Sequence, residues 1–221
     1  MKIYLDSADV STWTLPDGTP PIQGVTTNPT LVHRANLPVT LDTYMHLVDA
    51  AGAHGFAELM VQLPSPDPVM AQQWVDTLIE GADRARVQLT IKLPCHADWL
   101  PCIRAVQQKD QPILLTGLSN SIQLLWAQSL QVDWVAPYVG RLDADGRDIW
   151  ALMQACVAVQ KAKGPALLAA SIKSPEILAR LMGCGAAAAT LPPASVLAWR
   201  DDPLTQSAIS QFERDIAASL A

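Results

Sequence analysis

The sequence predicts an α/β protein, a single (β/α)8 barrel of the TIM type over residues 1–221 with an extra C-terminal helix at about residues 205–220. Three observations lead there. Eight short apolar runs recur along the chain, longer segments with helical apolar spacing separate them, and 221 residues suit one core of this size. Alternating strand and helix imply parallel strands, and eight such units suggest closure into a barrel.

The runs follow in order. Ile3 to Leu5 is the first, and behind it comes Leu15 to Pro21 (LPDGTPP), whose proline and glycine cannot continue helix or strand. Little room is left for a full first helix. Gly24 to Thr26 and Phe56 to Gln62 are the second and third runs, and a further irregular stretch, Leu63 to Pro68 (LPSPDP), precedes helical spacing from Val69 to Arg86. Gln88 to Lys92 and Ile113 to Thr116 are the next two, with a helical pattern from Ser121 to Leu130. Trp134 to Tyr138, Ala166 to Ala170 and Ala187 to Leu191 complete the eight, interleaved with helical patterns over Ile149 to Lys163 and Pro175 to Met182. From Thr205 to Leu220 the apolar residues Ile209, Phe212, Ile216 and Leu220 fall on one helical face, which must cover its own barrel or a neighbouring subunit. Neither proline-rich stretch reads as a domain linker, and no internal repeat or low-complexity tract interrupts the series.

Composition narrows the function classes. A chain 50% hydrophobic and 16% charged is a folded protein and not a disordered one. The net charge of -6 argues against nucleic acid or an anionic membrane as a partner, while a local basic site still suits a small anionic substrate. MKIYLDSADV meets Asp6 without the continuous apolar region of a secretory signal, and no run approaches the roughly 18 apolar residues of a membrane span. Cys95, Cys102, Cys156 and Cys184 are scattered without zinc-site spacing and read as reduced thiols of a cytoplasmic protein. His33, His46, His54 and His96 form no metal-ligand pattern, and the seven tryptophans read as packing residues.

Barrels of this kind carry their chemistry at the C-terminal ends of the strands. That rule selects Asp6, Thr26, Asn28, Glu58, Lys92, Thr116, Tyr138 with Arg141, and Ser171 with Lys173. Most have a structural alternative. Asp6, Asn28, Thr116 and Ser171 are each suited to capping a helix, and Arg141 with Asp143 to a surface ion pair. Lys92 resists such an account. It lies among Leu89, Ile91 and Leu93, where an inward position buries an ammonium at considerable cost. Burial lowers a lysine pKa, and the neutral amine so produced is the nucleophile of Schiff-base chemistry.

Six segments, LDSAD at 5–9, GVTTNPT at 24–30, FAELM at 56–60, IKLP at 91–94, VAPYVGR at 135–141 and LAASIKSP at 168–175, resemble the short transaldolase and fructose-6-phosphate aldolase family. The resemblance runs from the first strand to the tail and is strongest toward fructose-6-phosphate aldolase. It implies a (β/α)8 barrel that uses no cofactor and no metal. Lys92 is then the Schiff-base lysine and Asp6 the group that moves the proton on the hydroxyl of the bond being broken. Thr26 and Asn28 orient the amine and the dihydroxyacetone unit; Glu58, Thr116 and Tyr138 hold a water that shuttles protons; Arg141 and Ser171 bind phosphate. One departure matters: Glu58 is transaldolase-like where aldolases of the family have glutamine, whereas Tyr138 is aldolase-like where many transaldolases have phenylalanine. The resemblance therefore implies an aldolase acting on fructose 6-phosphate, dihydroxyacetone and glyceraldehyde 3-phosphate, with a transaldolase as its nearest alternative. A catalytically silent sugar-phosphate-binding barrel is the non-enzyme alternative. It also implies a homo-oligomer, pentamer or decamer, in which the C-terminal helix reaches a neighbour.

Overall fold

The computed structural model describes residues 1–220, and it is a closed eight-stranded parallel barrel in which every strand pairs with the next and the last pairs with the first. The strands are β1 (Lys2–Asp6), β2 (Gly24–Thr26), β3 (Glu58–Gln62), β4 (Gln88–Pro94), β5 (Ile113–Leu118), β6 (Trp134–Pro137), β7 (Ala166–Ala169) and β8 (Ala188–Leu191). The predicted fold class is therefore the observed one. Closure rests on β1, which sets Asp6 beside Thr26 of β2 and Leu5 beside Leu191 of β8.

Around the barrel run α1 (Pro29–Arg34), α2 (Leu41–Ala53), α3 (Pro68–Ala85), α4 (Leu100–Gln107), α5 (Ser121–Ser129), α6 (Val139–Ala144), α7 (Ile149–Lys161), α8 (Pro175–Cys184), α9 (Pro193–Arg200) and α10 (Pro203–Ser219). Between β1 and β2 there is only a 3-10 turn, Val10–Thr12, because the prolines of the following stretch leave no room for more. Asn28, Thr40, Asp67, Asn120, Asp148, Ser174 and Asp202 start seven of the helices, each accepting a bond from a first-turn N–H that the helix itself cannot satisfy.

The period-2 alternation of strand side chains divides the apolar residues into two cores. Leu5, Val25, Leu59, Val61, Ile91, Leu115 and Leu167 point outward and pack under the helices. Tyr4, Met60, Leu114, Ala136, Leu168, Ala170 and Ala188 fill the barrel interior. Gly24 is glycine for a steric reason, since a Cβ there would overlap the backbone carbonyl of Glu58 on the neighbouring strand.

α10 stands apart. None of its residues is buried, and Ile209, Phe212 and Ile216 are all about half exposed or more. Of the two surfaces its apolar face was expected to cover, its own barrel is not the one. No helix among the described residues is long and apolar enough to cross a membrane.

Candidate active site

Lys92 sits inside the barrel on β4, two residues beyond the inward Thr90, and the residue is only 5% exposed. Its Nζ donates to the backbone carbonyl of Thr27 at 2.7 Å. Burial pulls the lysine pKa down to about 8, and the carboxylate of Asp6 opposes that pull. At pH 8 about half the molecules then carry a neutral amine, against roughly one in 300 for a lysine at its ordinary value. The Thr27 carbonyl fixes where that amine points.

Asp6 closes β1 at the mouth of the barrel. Burial pushes its pKa upward, while Lys92, a hydrogen bond from Thr26, Lys173 and Arg141 pull it back. Three cations, from β4, α6 and the loop after β7, therefore act on one carboxylate. Thr26 donates to Asp6 Oδ1 at 3.1 Å, and the Thr26 hydroxyl lies 2.6 Å from that of Thr190. Thr190 was absent from the expected set, although the rule that selected the others, a polar residue near the end of an apolar run, also picks it out. Asn28 is a helix cap: its Oδ1 accepts from Leu31 N–H at 3.1 Å, which leaves its amide N–H groups for other partners.

The three residues expected to share one water divide into two groups. Thr116 donates to the Tyr138 hydroxyl at 2.8 Å, so these two are together. A bulge after Thr116, at Gly117 with φ +76°, bends β5 where it delivers that hydroxyl. Glu58 begins β3 instead of ending it, and its two oxygens accept from Tyr4 and from Thr90, each at 2.6 Å. All three groups are buried. Tyr4 and Thr90 were not anticipated, yet alternation marks both as inward, two residues before Asp6 and Lys92 respectively.

The rim carries the cations. Arg141, on α6, is not paired with Asp143; its guanidinium lies over the Tyr138 ring, 4.6 Å from the centroid. Ser171 follows β7 with a left-handed backbone, φ +60°, and its carbonyl accepts from Gly140 N–H at 2.9 Å. Neither Thr116 nor Ser171 caps a helix; Asn120 and Ser174 do. Lys173 stands beside α6, where a Cβ on Gly140 would come within 2.7 Å of the Lys173 Cγ and overlap the Ser171 carbonyl. Gly140 thus lets the end of β7 approach α6 closely enough to bring Arg141, Ser171 and Lys173 to one side of the mouth.

Other nucleophiles are less suited. Burial pushes the thiols of Cys95 and Cys156 up to about 12 and that of Cys102 to about 11, so they stay protonated and unreactive at neutral pH. Among the described residues no group of three or more His, Cys, Asp or Glu is placed to hold a metal ion. What the mouth does offer is an amine able to attack a ketone, a carboxylate to move a proton beside it, a pair of hydroxyls, and rim cations for an anionic group.

Solved structures share the fold. An HpcH/HpaI aldolase from Desulfitobacterium hafniense superposes with a TM-score of 0.59 at 11% identity, covering 97% of this chain and 92% of that one. A flavocytochrome b2 variant gives 0.57 at 11% identity over 87% of this chain, and the Klebsiella pneumoniae BlrP1 complex with calcium and cyclic diGMP gives 0.52 at 14% identity over 66%. The chain spans 57% of the length of the flavocytochrome and 41% of that of BlrP1. At such identities the likeness is one of fold alone. Sequence carries the closer relation: the profile of the transaldolase/fructose-6-phosphate aldolase family matches residues 3–221, and the chain belongs to that family.

Proposed function

We propose that this protein is a Schiff-base aldolase that cleaves or forms fructose 6-phosphate from dihydroxyacetone and glyceraldehyde 3-phosphate. The observation that carries the reading is Lys92, buried inside the barrel, held by the Thr27 carbonyl and poised near neutral charge. Its amine adds to the C2 ketone carbon and water leaves, giving an iminium that draws electrons from the C3–C4 bond, one carbon away. Asp6 takes the proton from the C4 hydroxyl, the C3–C4 bond breaks, and C4 departs as the aldehyde carbon of glyceraldehyde 3-phosphate. An enamine of dihydroxyacetone remains on Lys92. Protonation at carbon and hydrolysis release dihydroxyacetone, and the amine is regenerated. Arg141 and Ser171, with Lys173 beside them, bind the phosphate of the aldehyde half; Thr26 and Asn28 orient the dihydroxyacetone half.

A second reading, transaldolase, has the enamine attack an acceptor aldehyde before it is protonated. Glu58 favours it by residue type. The Thr116–Tyr138 pair favours the aldolase, because the Tyr138 oxygen accepts from Thr116 and its own proton is left to hold a water near the enamine. A catalytically silent barrel has the least support, since the amine and the proton-transfer carboxylate both stand in the barrel mouth. We further propose a cytoplasmic homo-oligomer, a pentamer or decamer, in which a neighbouring copy covers the apolar face of α10.

Incubation with fructose 6-phosphate, with and without erythrose 4-phosphate, tests the reading. Release of glyceraldehyde 3-phosphate at catalytic rates without the acceptor is the expected result. Release that requires the acceptor makes the protein a transaldolase, and no release in either mixture removes both enzyme readings.

A further inference from the structure

We propose that Thr190 is a positioning residue for Asp6, acting through Thr26 by a one-way chain of hydroxyl hydrogen bonds. The inference rests on the reading of Asp6 as the proton-transfer group, and it begins with a count of protons. Thr26 has a single hydroxyl proton and donates it to Asp6 Oδ1 at 3.1 Å. The contact of 2.6 Å between the Thr26 and Thr190 hydroxyls must then be donated by Thr190. While Asp6 is ionised, the order is Thr190 to Thr26 to Asp6.

The fold explains why these groups meet. β1 lies between β2 and β8, and its register sets Asp6 beside Thr26 and Tyr4 beside Thr190. Threonines 164 positions apart in sequence thus touch inside the barrel. Both are buried, so no solvent competes for their hydroxyls. A donor at the far end polarises the Thr26 hydroxyl, which strengthens its bond to a charged acceptor more than to a neutral one. It also denies Thr26 a second rotamer, because turning its proton toward Thr190 would set two protons against each other. The charged groups that face Asp6 are Lys92 from β4, Arg141 from α6 and Lys173 beyond β7. They hold the carboxylate by charge, which does not fix its orientation; the hydroxyl chain does.

The test uses the full-length protein and three variants. Thr190→Val keeps the shape and removes the donor; Thr190→Ser keeps the donor; Thr26→Val removes the link. Thr190→Val is expected to lower kcat for fructose 6-phosphate cleavage about 5-fold, the usual effect of one hydrogen bond, with KM nearly unchanged. The acid limb of its kcat profile, which is set after Lys92 has become the imine, should move to higher pH, because a weaker Thr26 bond leaves burial to raise the Asp6 pKa further. Thr190→Ser should restore both. In a Thr26→Val background, Thr190→Val should cost nothing more. An equal loss in that background, or a loss with no movement of the limb, assigns Thr190 to packing and overturns the proposal.

Should wild-type protein show no cleavage and no borohydride-trapped adduct, the aldolase reading fails and the hydroxyl chain can still be judged. Carbon NMR of the protein carrying labelled aspartate, with the Asp6 signal identified by its absence in Asp6→Asn, reads the carboxyl titration directly. A midpoint that rises in Thr190→Val and returns in Thr190→Ser supports the chain, and an unmoved midpoint overturns it.

Discussion

If burial makes Lys92 a nucleophile, adduct formation must follow the ionisation of that one amine. Protein mixed with dihydroxyacetone and a hydride donor traps the imine as a stable amine, and the trapping rate can be followed from pH 6 to 10 by mass. At pH 7 an amine with pKa about 8 is neutral in roughly one molecule in ten, whereas a lysine at 10.5 is neutral in about one in 3000. The burial is thus worth about 300-fold in available nucleophile at that pH, and the wild-type rate should level off above about pH 8. Asp6 is the second half of the prediction, because it opposes the burial by favouring the charged amine. Asp6→Asn removes that attraction, so the midpoint should fall by about one unit even as the later cleavage step is lost. Stability carries the same signature. Between about pH 8 and the ordinary lysine range the unfolded chain holds a proton that the native protein does not, so stability rises with pH there, by up to about 3 kcal/mol. A midpoint near 10 in the wild type, or one that rises in Asp6→Asn, would refute the reasoning, as would an adduct on any other lysine.

Arg141→Ala should raise KM for a phosphorylated aldehyde by about 10-fold or more and leave an unphosphorylated one almost unaffected; an equal effect on both makes Arg141 structural. Thr27→Val should stabilise the protein by about 1 kcal/mol, seen as a rise of a few degrees in Tm, because the Thr27 hydroxyl is buried without a hydrogen-bond partner. Phe212→Asp should turn the proposed homo-oligomer into smaller species in sedimentation, since it puts a charge on the apolar face of α10 that its own barrel leaves uncovered.

The strands were legible because a buried parallel strand writes itself as a short apolar run, and all eight lie where such runs occur. The five helices named from the sequence agree to within two residues at each end, whereas α1, α2, α4, α6 and α9 were not named; in α6 six residues, VGRLDA, give too few turns for a period to show. Lys92 was legible because a cation amid apolar strand residues violates the pattern around it. Tyr4 and Thr90 were not. Glu58 was read as a strand-end residue, and only the barrel's stagger reveals that it starts its strand beneath the site, between hydroxyls from β1 and β4. The surface pair offered as the structural alternative for Arg141 with Asp143 does not form; the guanidinium lies over the ring of Tyr138, three residues earlier at the start of α6.

The closure of the barrel through β1 governs how the protein comes into being. β1, synthesised before the other seven barrel strands, can pair on one side with β2 early, but its other edge waits for residues 188–191, about 180 residues later. Until then β1 is an open edge with unpaired amides, the kind of surface that recruits other strands. Joining its ends across so many residues is a slow, non-local event. Every earlier species lacks the contact between Thr26 and Thr190, so during refolding the recovery of activity should trail the recovery of helix signal. A nascent chain cut before Ala188 would have seven strands and no finished mouth.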